Sequence, residues 1–404
     1  MAKSGLPLEG VKVIEYANYV AAPVTGRLLA DWGAEVIKIE PISGDSMRYV
    51  GMQWNFPIDA EENPLFEMEN SGKRGILVDT TTKEGVELVY KLLEDADIFL
   101  TNTRQRALDK AGLDYESMKK RAPHIIYGHL LGYGDKGPAK DNPAFDYTAY
   151  FARGGVAKSL MEKGTSPCNP VAGLGDHSAG MSLAAGLLAA LMKQRQTGEG
   201  ERVTVSLFHT AVFGMGIMVS AADYDYEMPI SRQEPPNPLN TTYECADGEW
   251  VQLAFFQYNK WFPGFCDIVI ERPDLKDDER YNNMKNAVVN AKEFVLMMEK
   301  EFIKRPFAEW AERLQKAGIP YEKVASTYDV LNDAQCWEND YLIRHKYDNG
   351  HEGVIYNTPV MFTENKRGDY VRAPYMGEHT DEVMKELGIA DAEIEKLKAD
   401  GIIK

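Results

Sequence analysis

The feature that most constrains this chain is a regular alternation of strand-like and helix-like segments in its amino-terminal half. The β-rich run 11–17 is followed by a helix-like segment at 23–32, which has proline at its first turn and Gly33 after its end. A second β-rich run at 35–40 completes a βαβ unit. Further strand-like runs lie at 75–79, 97–101 and 125–131. The alternation predicts an α/β fold with an open, doubly wound, Rossmann-like parallel sheet.

The pattern changes after residue 222, and this change predicts a second domain. A chain of 404 residues is longer than a single hydrophobic core usually supports. Apolar helix-like segments at 178–196 and 208–222 are typical of helices buried between layers. The proline-rich segment 229–238 then interrupts the pattern, and a hairpin turn is predicted at Asp247-Gly248. We therefore place a domain boundary near residue 225.

The charge balance argues against one class of partner. The chain carries 45 Lys and Arg against 62 Asp and Glu, for a formal net charge of −17. A broad face that binds the nucleic-acid backbone needs the opposite sign, so we expect no nucleic acid partner. A local basic pocket for a small phosphorylated ligand, such as a nucleotide or coenzyme A, remains compatible with the acidic total.

The cysteines and the apolar runs indicate neither a metal centre nor a membrane segment. The four cysteines are far apart and form no CxxC or Cys/His pair at metal-ligand spacing, so we expect reduced thiols and no metal. Segment 1–10 lacks an apolar run of signal-peptide length, and the runs at 184–192 and 211–222 are too short to span a bilayer. We therefore expect no membrane association and a cytoplasmic location.

The first βαβ unit lacks the glycines of a dinucleotide-binding site. The connection 18–23, Asn-Tyr-Val-Ala-Ala-Pro, contains no G-x-G-x-x-G turn that would bring a pyrophosphate to the helix amino terminus. We therefore expect no bound NAD. Glu40, at the end of the second strand, is interpreted as an exposed strand-end carboxylate.

Asp176 is the candidate catalytic residue that the local sequence singles out. It follows Gly173-Leu-Gly175 at the predicted start of a long apolar helix. One interpretation is an ordinary helix N-cap. The other is that the helix dipole keeps the carboxylate ionised and nucleophilic beside a reactive carbonyl. His177 comes next, but adjacent helical residues point apart, so no Asp-His relay is implied.

Other catalytic patterns have less support. No G-x-S-x-G elbow is present, which argues against a serine hydrolase. His129 and His209 are interpreted as buried, hydrogen-bonded histidines rather than ligands.

A group of basic residues is the candidate for binding phosphate. In the predicted order of elements these residues follow strands, where open sheets bind phosphate ligands. For any one of them a solvated surface position is the alternative. The members are Lys73, Arg74, Arg104, Arg106 and Lys110.

Several ordered blocks of sequence are shared with one known family. They are 8–13, 29–40 with Gly44-Asp45, Lys73-Arg74, 97–113, Gly132-Tyr-Gly134, Gly137-Pro138, Gly175-Asp176, Thr197-Gly-x-Gly200 and 377–383. On these blocks the chain resembles the class III CoA-transferases, the family that includes formyl-CoA transferase and carnitine CoA-transferase. The resemblance spans nearly the whole chain.

The resemblance implies an architecture and an assembly. Members of this family have a Rossmann-like large domain built from both termini and a smaller inserted α+β domain. Two ring-like chains thread through each other in an interlocked homodimer. We therefore expect residues 1–224 and 326–404 to form the large domain, and 225–325 to form the small one.

The resemblance also implies a mechanism and a set of contacts. Asp176 matches the family's catalytic aspartate, which attacks the thioester carbonyl and later carries CoA as an aspartyl thioester. Glycines before it are expected to let a thioester reach the carboxylate without meeting a Cβ. Acyl-CoA is a substrate here, and we expect no permanently bound cofactor. The positions that match CoA contacts are Val20, Ala21, Val78, Asn102, Thr103, Arg104, Lys110 and Ala111.

Features within the resemblance favour a less polar acid. Val20 replaces a glutamine that orients the small acid in the formate- and oxalate-handling members. Segments 145–155 and 170–177 are similar to those of members that activate (R)-2-hydroxy acids, such as 2-hydroxyisocaproate and phenyllactate, in amino-acid fermentation. We therefore expect CoA transfer from an enoyl-CoA or 2-hydroxyacyl-CoA to a 2-hydroxy acid. Segment 234–240 has no counterpart of the glycine-rich loop that closes over the aspartate in the formyl-CoA enzyme.

Two alternatives remain open at this point. An α-methylacyl-CoA racemase shares the fold and the second aspartate, but it uses a histidine where this chain has Phe145. Without that imidazole, one acid-base group for racemisation is missing. A CoA-binding protein without catalytic activity is the other alternative, and Asp176 argues against it.

Overall fold

The computed structural model describes residues 5–364 and 370–404, so the first four residues of segment 1–10 lie outside it. The chain forms two compact units. One comprises the described residues of Met1–Val156, Asn169–Val219 and Trp337–Lys404, and the other comprises Ala157–Cys168 and Ser220–Cys336. The first unit therefore draws on both ends of the chain. We retain the domain boundaries at 224/225 and 325/326 as a proposal.

A six-stranded sheet organises the first unit. Its strands are β1 (Lys12–Tyr16), β2 (Glu35–Glu40), β3 (Arg74–Leu77), β4 (Ile98–Thr101), β5 (Ile126–Leu131) and β6 (Arg202–Ser206). Their order is β3-β2-β1-β4-β5-β6, and every neighbouring pair is parallel. The order reverses between β1 and β4, which is the switch point of a doubly wound sheet. The fold class predicted from the sequence is confirmed.

The helices follow the strands along the chain. They are α1 (Ala21–Asp31), α2 (Met47–Val50), α3 (Pro64–Asn70), α4 (Lys83–Leu93), α5 (Gln105–Ala111), α6 (Tyr115–Arg121), α7 (Val156–Ser159), α8 (Leu174–Thr197), α9 (Leu207–Gly214), α10 (Gly216–Ala222), α11 (Tyr258–Gly264), α12 (Met284–Val289), α13 (Ala291–Phe302), α14 (Phe307–Lys316), α15 (Thr327–Leu331), α16 (Ala334–Glu338), α17 (Thr380–Glu386) and α18 (Asp391–Ala399). Short 3-10 or π-helical turns lie at Gly51–Trp54, Tyr147–Ala152, Phe265–Val269 and Pro273–Lys276. In the described ranges, no helix has both the length and the apolar character that crossing a bilayer requires.

Helices cover both faces of the six-stranded sheet. On one face α1 and α8 pack with Val13 and Val36, and on the other α4, α17 and α18 pack with Ile14 and Ile37. Consecutive residues of a strand point to opposite faces, so a strand covered on both sides carries adjacent apolar residues. This double burial accounts for the pairs Val13-Ile14 and Val36-Ile37.

The second unit is built around a small antiparallel sheet. Strands β7 (Thr242–Glu244), β8 (Trp250–Leu253) and β9 (Tyr321–Lys323) pair in that order. The hairpin predicted at Asp247-Gly248 is confirmed, and Gly248 has a φ of 80° that glycine adopts without strain. Helices α13 and α14 contribute Phe302 and Trp310 to the core below the sheet. A separate hairpin, β10 (Leu342–Lys346) with β11 (Glu352–Tyr356), belongs to the first unit.

Gly180 allows α1 and α8 to approach each other closely. A Cβ at this position would lie 2.3 Å from Cγ1 of Val24 and 2.8 Å from the carbonyl oxygen of Ala21. The hydroxyl of Thr25 donates a hydrogen bond of 3.0 Å to the carbonyl of Gly180. Since α1 carries Ala21 and α8 carries Asp176, this contact sets the relative position of two predicted site residues.

We expect Gly180→Ala to lower the free energy of unfolding by about 1–3 kcal/mol, because the added methyl group overlaps α1. Denaturant unfolding followed by circular dichroism measures this change. Gly264→Ala is the matched control, since Gly264 has helical φ and ψ of −65° and −36° and a Cβ at this position would meet no atom within 4 Å. It should be neutral or stabilising by up to about 1 kcal/mol. Equal destabilisation by both substitutions would contradict the close-contact explanation.

Candidate active site

A cavity of about 480 Å³ lies at the carboxyl ends of β1, β4 and β5. The loop after β1 supplies Asn18, Tyr19 and Val20, and the loop after β4 supplies Asn102 and Thr103. Because the strand order reverses between β1 and β4, their two loops diverge and leave a crevice between them. The cavity therefore occupies the position where doubly wound sheets bind ligands.

The structure brings most of the predicted site residues together here. Those that line the cavity are Val20, Ala21, Asn102, Thr103, Arg104 and Asp176. The other three predicted CoA contacts lie outside the lining. Val78 is fully buried and bridges to Ile403, whereas Lys110 and Ala111 are at the carboxyl end of α5, where Lys110 is exposed.

Asn102 joins the two loops that form the crevice. Its side-chain Nδ2 donates to the carbonyl of Asn18 at 2.7 Å, and its Oδ1 accepts from the amide of Asn18 at 3.0 Å. Thr103, the next residue of this loop, is fixed by a side chain on β5. Nε2 of His129 donates to the carbonyl of Thr103 at 2.9 Å. Burial lowers the pKa of His129 to about 4, so the ring stays neutral at physiological pH. Both side chains position the cavity wall.

The predicted basic cluster is divided between opposite edges of the sheet. Lys73 and Arg74 lie at the start of β3, whereas Arg104 follows the end of β4, so grouping them was wrong. Parallel strands place these positions at opposite edges. Lys73 is buried and binds Glu15 at 2.7 Å, and Arg74 binds carboxylates that include Glu35 at 2.7 Å. Neither cation is directed to the cavity.

Two other cations line the cavity and were missed in the sequence. Lys140 comes from the segment after β5, and Arg202 comes from β6, where it lies 3.5 Å from Asp135. Lys140 lies well beyond the predicted strand 125–131 and Arg202 begins a strand rather than following one, so no local pattern distinguished them. With Arg104 they provide three positive side chains in the lining.

Glu40 is not the exposed carboxylate that the sequence predicted. It is fully buried and accepts from the side chain of Arg48 at 2.6 Å and from the amide of Asp45 at 2.7 Å. The short turn after β2 folds back over the strand end and brings both donors to Glu40. Its role is therefore to order that turn.

Asp176 lies in the first turn of α8 rather than at its N-cap. The N-cap is Gly173, whose φ of 80° is readily available only to glycine. The second glycine is required by packing. A Cβ on Gly175 would lie 2.6 Å from the ring of Tyr150 and 2.9 Å from Cβ of Asp146. Gly175 thus permits the segment containing Asp146 to pack against the start of α8.

This packing surrounds Asp176 with low-dielectric material and negative charge. Burial, followed by the nearby carboxylates of Asp146 and Glu69, raises the pKa of Asp176 to about 8. The nearby His177 lowers the pKa of Asp176, but this effect is smaller than the combined effect of burial and the two carboxylates. The helix-dipole interpretation requires a lowered pKa, whereas burial and like charges raise the pKa of Asp176.

His177 is directed away from a relay with Asp176 and towards a buried acid. Its Nε2 lies 2.9 Å from Oε1 of Glu69, which also accepts from the hydroxyl of Tyr356 at 3.1 Å. Burial alone lowers the pKa of His177, but Glu69 outweighs it and the pKa lies above the ordinary value. His177 is therefore paired with Glu69 rather than with Asp176. The other histidine expectation fails for His209, which is exposed on α9.

No group of three or more His, Cys, Asp or Glu side chains with metal-binding geometry occurs among residues 5–364 and 370–404. In the same ranges all four cysteines are free thiols, and two of them, Cys245 and Cys266, are buried. The cavity presents the carboxyl group of Asp176, whose pKa is raised by burial and by the nearby acids Asp146 and Glu69.

Comparison with known proteins assigns the chain to a protein family. Residues 8–380 match the family described as CoA-transferase family III, and the chain belongs to this family. The resemblance seen in the sequence blocks is confirmed. The protein is an enzyme, a CoA-transferase.

Individual relatives extend over nearly the full chain. It is 51% identical over 397 residues to (R)-2-hydroxy-4-methylpentanoate CoA-transferase of Clostridioides difficile, covering 98% of this chain and 99% of the relative. It is 45% identical over 395 residues to cinnamoyl-CoA:phenyllactate CoA-transferase of Clostridium sporogenes, covering 97% of this chain and 96% of the relative. A crystal structure of a CaiB/BaiF family protein from Brucella suis superimposes with a TM-score of 0.81 at 27% identity, covering 95% of this chain and 99% of that chain.

Proposed function

We propose that this CoA-transferase moves CoA from an acyl-CoA thioester to an (R)-2-hydroxy acid, with Asp176 as the covalent carrier. The observation that carries the proposal is the position of Asp176, a partly desolvated carboxyl group in the cavity at the switch point of the sheet. A carboxylate with raised basicity is a better nucleophile towards a carbonyl than an ordinary surface aspartate.

The transfer proceeds in four exchanges at one carboxyl group. Asp176 attacks the thioester carbonyl, and the C–S bond breaks. CoA departs as the thiolate, and the acyl group stays bonded to Asp176 as a mixed anhydride. The thiolate attacks the aspartyl carbonyl of that anhydride, which releases the first acid and leaves an aspartyl-CoA thioester. The incoming carboxylate displaces CoA thiolate to form a second anhydride. The thiolate then attacks the incoming acyl group, so that the new thioester leaves and Asp176 is regenerated.

The acid is proposed to be a 2-hydroxy acid of the hydroxyisocaproate or aryl-lactate type. Both relatives described above are named for acids of this kind. Val20 supports the proposal, because an apolar side chain in the lining does not orient a small polar acid such as oxalate. An enoyl-CoA or a 2-hydroxyacyl-CoA would then be the donor.

Acyl-CoA is proposed to enter along the lining residues that the sequence singled out. Val20, Ala21, Asn102, Thr103 and Arg104 line the cavity directly. Among the cations, Arg104 offers a guanidinium group to phosphate oxygens of the nucleotide. Contacts with Val78, Lys110 and Ala111, the lack of a permanent cofactor and the cytoplasmic location remain predictions.

The alternatives are weaker on specific grounds. Phe145 lines the same cavity as Asp176, and its phenyl ring cannot exchange a proton with the substrate. A racemase would need that group, and exchange of the α-hydrogen with solvent deuterium without an acceptor acid would support it. A non-catalytic CoA-binding protein does not require a carboxyl group with a pKa raised to about 8 at the cavity.

We also propose the interlocked homodimer that the family resemblance implies. Apolar side chains on α8 and α9–α10 are exposed in the single chain, among them Met192, Phe213 and Ile217 at 69%, 84% and 80%. Apolar surface of this extent on adjoining helices supports coverage by a second chain.

Asp176→Ala is expected to reduce CoA transfer at least about a thousandfold while leaving the thermal unfolding midpoint close to that of the wild type, because it removes the covalent carrier. In the wild type, acyl-CoA and hydroxylamine should yield an aspartyl hydroxamate at residue 176, detected by peptide mass spectrometry. Asp391→Ala is the matched control, since Asp391 also lies in the first turn of a helix. Near-normal activity of Asp176→Ala would remove the mechanism.

The pH dependence follows from the raised pKa of Asp176, about 8. Below that pH the nucleophile is protonated, so kcat/KM should fall about tenfold per pH unit. Ionisation of Asp176 is disfavoured in the folded state, so this residue also makes the free energy of unfolding decrease as pH rises from about 3.8 to about 8.

Asp146→Asn should move the fall in kcat/KM to lower pH, because it removes a like charge near Asp176. Glu67→Gln, which alters a buried acid bound to Tyr370, should not. A fall in kcat/KM at unchanged pH in Asp146→Asn would contradict the assignment to Asp176.

For the assembly, light scattering coupled to size exclusion should give twice the 45.3 kDa of the chain. Phe213→Asp should shift the population towards monomer, because a carboxylate would be buried in the interface. Val289→Asp, at a residue on α12 that is 81% exposed, serves as the control. A monomeric wild type would contradict the proposal.

A further inference from the structure

Two aromatic side chains line the Asp176 cavity without a part in the transfer steps. Tyr19 lies just before α1, and Phe145 lies just before the π-helical turn Tyr147–Ala152. Their ring centroids are 5.3 Å apart, with the ring planes at 87°. Tyr19 is 37% exposed and Phe145 is 55% exposed. Rings that leave this much surface uncovered at a cavity offer apolar area that a bound molecule can bury.

The backbone of Tyr19 is held in a conformation that non-glycine residues seldom adopt. Its φ is 64°, in the left-handed region. Its amide donates to Oδ1 of Asp45 at 3.0 Å, and the preceding amide of Asn18 donates to Asn102 at 3.0 Å. Strain of this kind persists where surrounding contacts impose it, and it clusters at ligand-binding sites. The ring of Tyr19 is therefore presented by a constrained loop.

Phe145 is constrained by contacts with a different segment of the chain. The carbonyl of Phe145 accepts from the hydroxyl of Thr148 at 3.0 Å, and the amide of Phe145 donates to the hydroxyl oxygen of Thr148 at 3.2 Å. The next residue, Asp146, accepts from the amide of Gly173 at 3.1 Å. Phe145 is thus tied to the start of α8, the helix that carries Asp176.

Part of the cavity lining is apolar like the ring pair. Val20, Ala144 and Leu207 line the same cavity. These three side chains offer no hydrogen bond, so a charged group placed against them would lose hydration without gaining a partner from them. An apolar substituent would instead bury ring and aliphatic surface together.

We propose that the Tyr19–Phe145 ring pair is the recognition surface for the side chain of the transferred acid and selects a branched-alkyl or aryl group. The inference rests on the proposed function, since it takes the acid to be bonded to Asp176 during turnover. An edge-to-face pair offers both a ring face and a ring edge to a third apolar group. A methyl side chain is too small to cover this surface and gains little from it.

The test compares three acceptor acids with one acyl-CoA donor: (R)-2-hydroxy-4-methylpentanoate, (R)-phenyllactate and (R)-lactate. Phe145→Ala and Tyr19→Ala should each lower kcat/KM for the two bulky acids about 10- to 100-fold. The value for lactate should change by less than about threefold, because its methyl group barely uses the rings. Tyr19→Phe keeps the ring and should keep the selectivity.

Tyr328→Ala is the matched control, since Tyr328 is 78% exposed on α15 and does not line the cavity. It should leave all three kcat/KM values unchanged. An equal fall for all three acids in both alanine variants, or lost selectivity in Tyr19→Phe, would overturn the ring-pair inference. Absence of CoA transfer to every acid by the wild type would instead overturn the proposed function. If one alanine variant fails to fold, the other alanine variant decides the test.

Discussion

The ammonium group of Lys38 holds together the part of the sheet on which the site is built. Its Nζ lies 3.0 Å from Glu15 on β1 and 2.9 Å from Asp45, and it donates to the carbonyl of Ala17 at 2.9 Å. All three charged side chains are buried. Removing one member of such a group leaves an uncompensated charge, which typically costs about 3–5 kcal/mol. The cluster therefore joins β1 to β2 and fixes the loop that presents Tyr19.

The same balance between burial and charge governs the candidate nucleophile. Lys38 is surrounded by opposite charges, which stabilise its ionised form, and its pKa is raised despite burial. Asp176 has Asp146 and Glu69 nearby, and these like charges add to the effect of burial. An ionised Asp176 is therefore a high-energy state of the free enzyme. In the proposed mechanism, bonding to an acyl group removes that charge and relieves the cost.

Sequence patterns were sufficient where the deciding contacts are local. The βαβ alternation predicted the parallel sheet of the first unit, and Asp247-Gly248 predicted the hairpin turn of the second unit. They failed where the partner comes from elsewhere in the fold. Glu40 was expected to be exposed, but it binds Arg48, which in turn donates to the carbonyl of Pro374 from the far end of the chain. Lys73 was grouped with Arg104, although the start of one parallel strand and the end of another lie at opposite sheet edges.

The sequence by itself determined the doubly wound fold, the family and Asp176 as the candidate carrier, because these depend on periodicity and on motifs contiguous in the chain. Only the tertiary structure decided that Asp176 lies near Asp146 and Glu69, and that Tyr19 packs against Phe145 at the cavity. These residues are far apart in sequence. The physical reason is that desolvation, repulsion between like charges and uncovered apolar surface arise only when folding brings distant segments together.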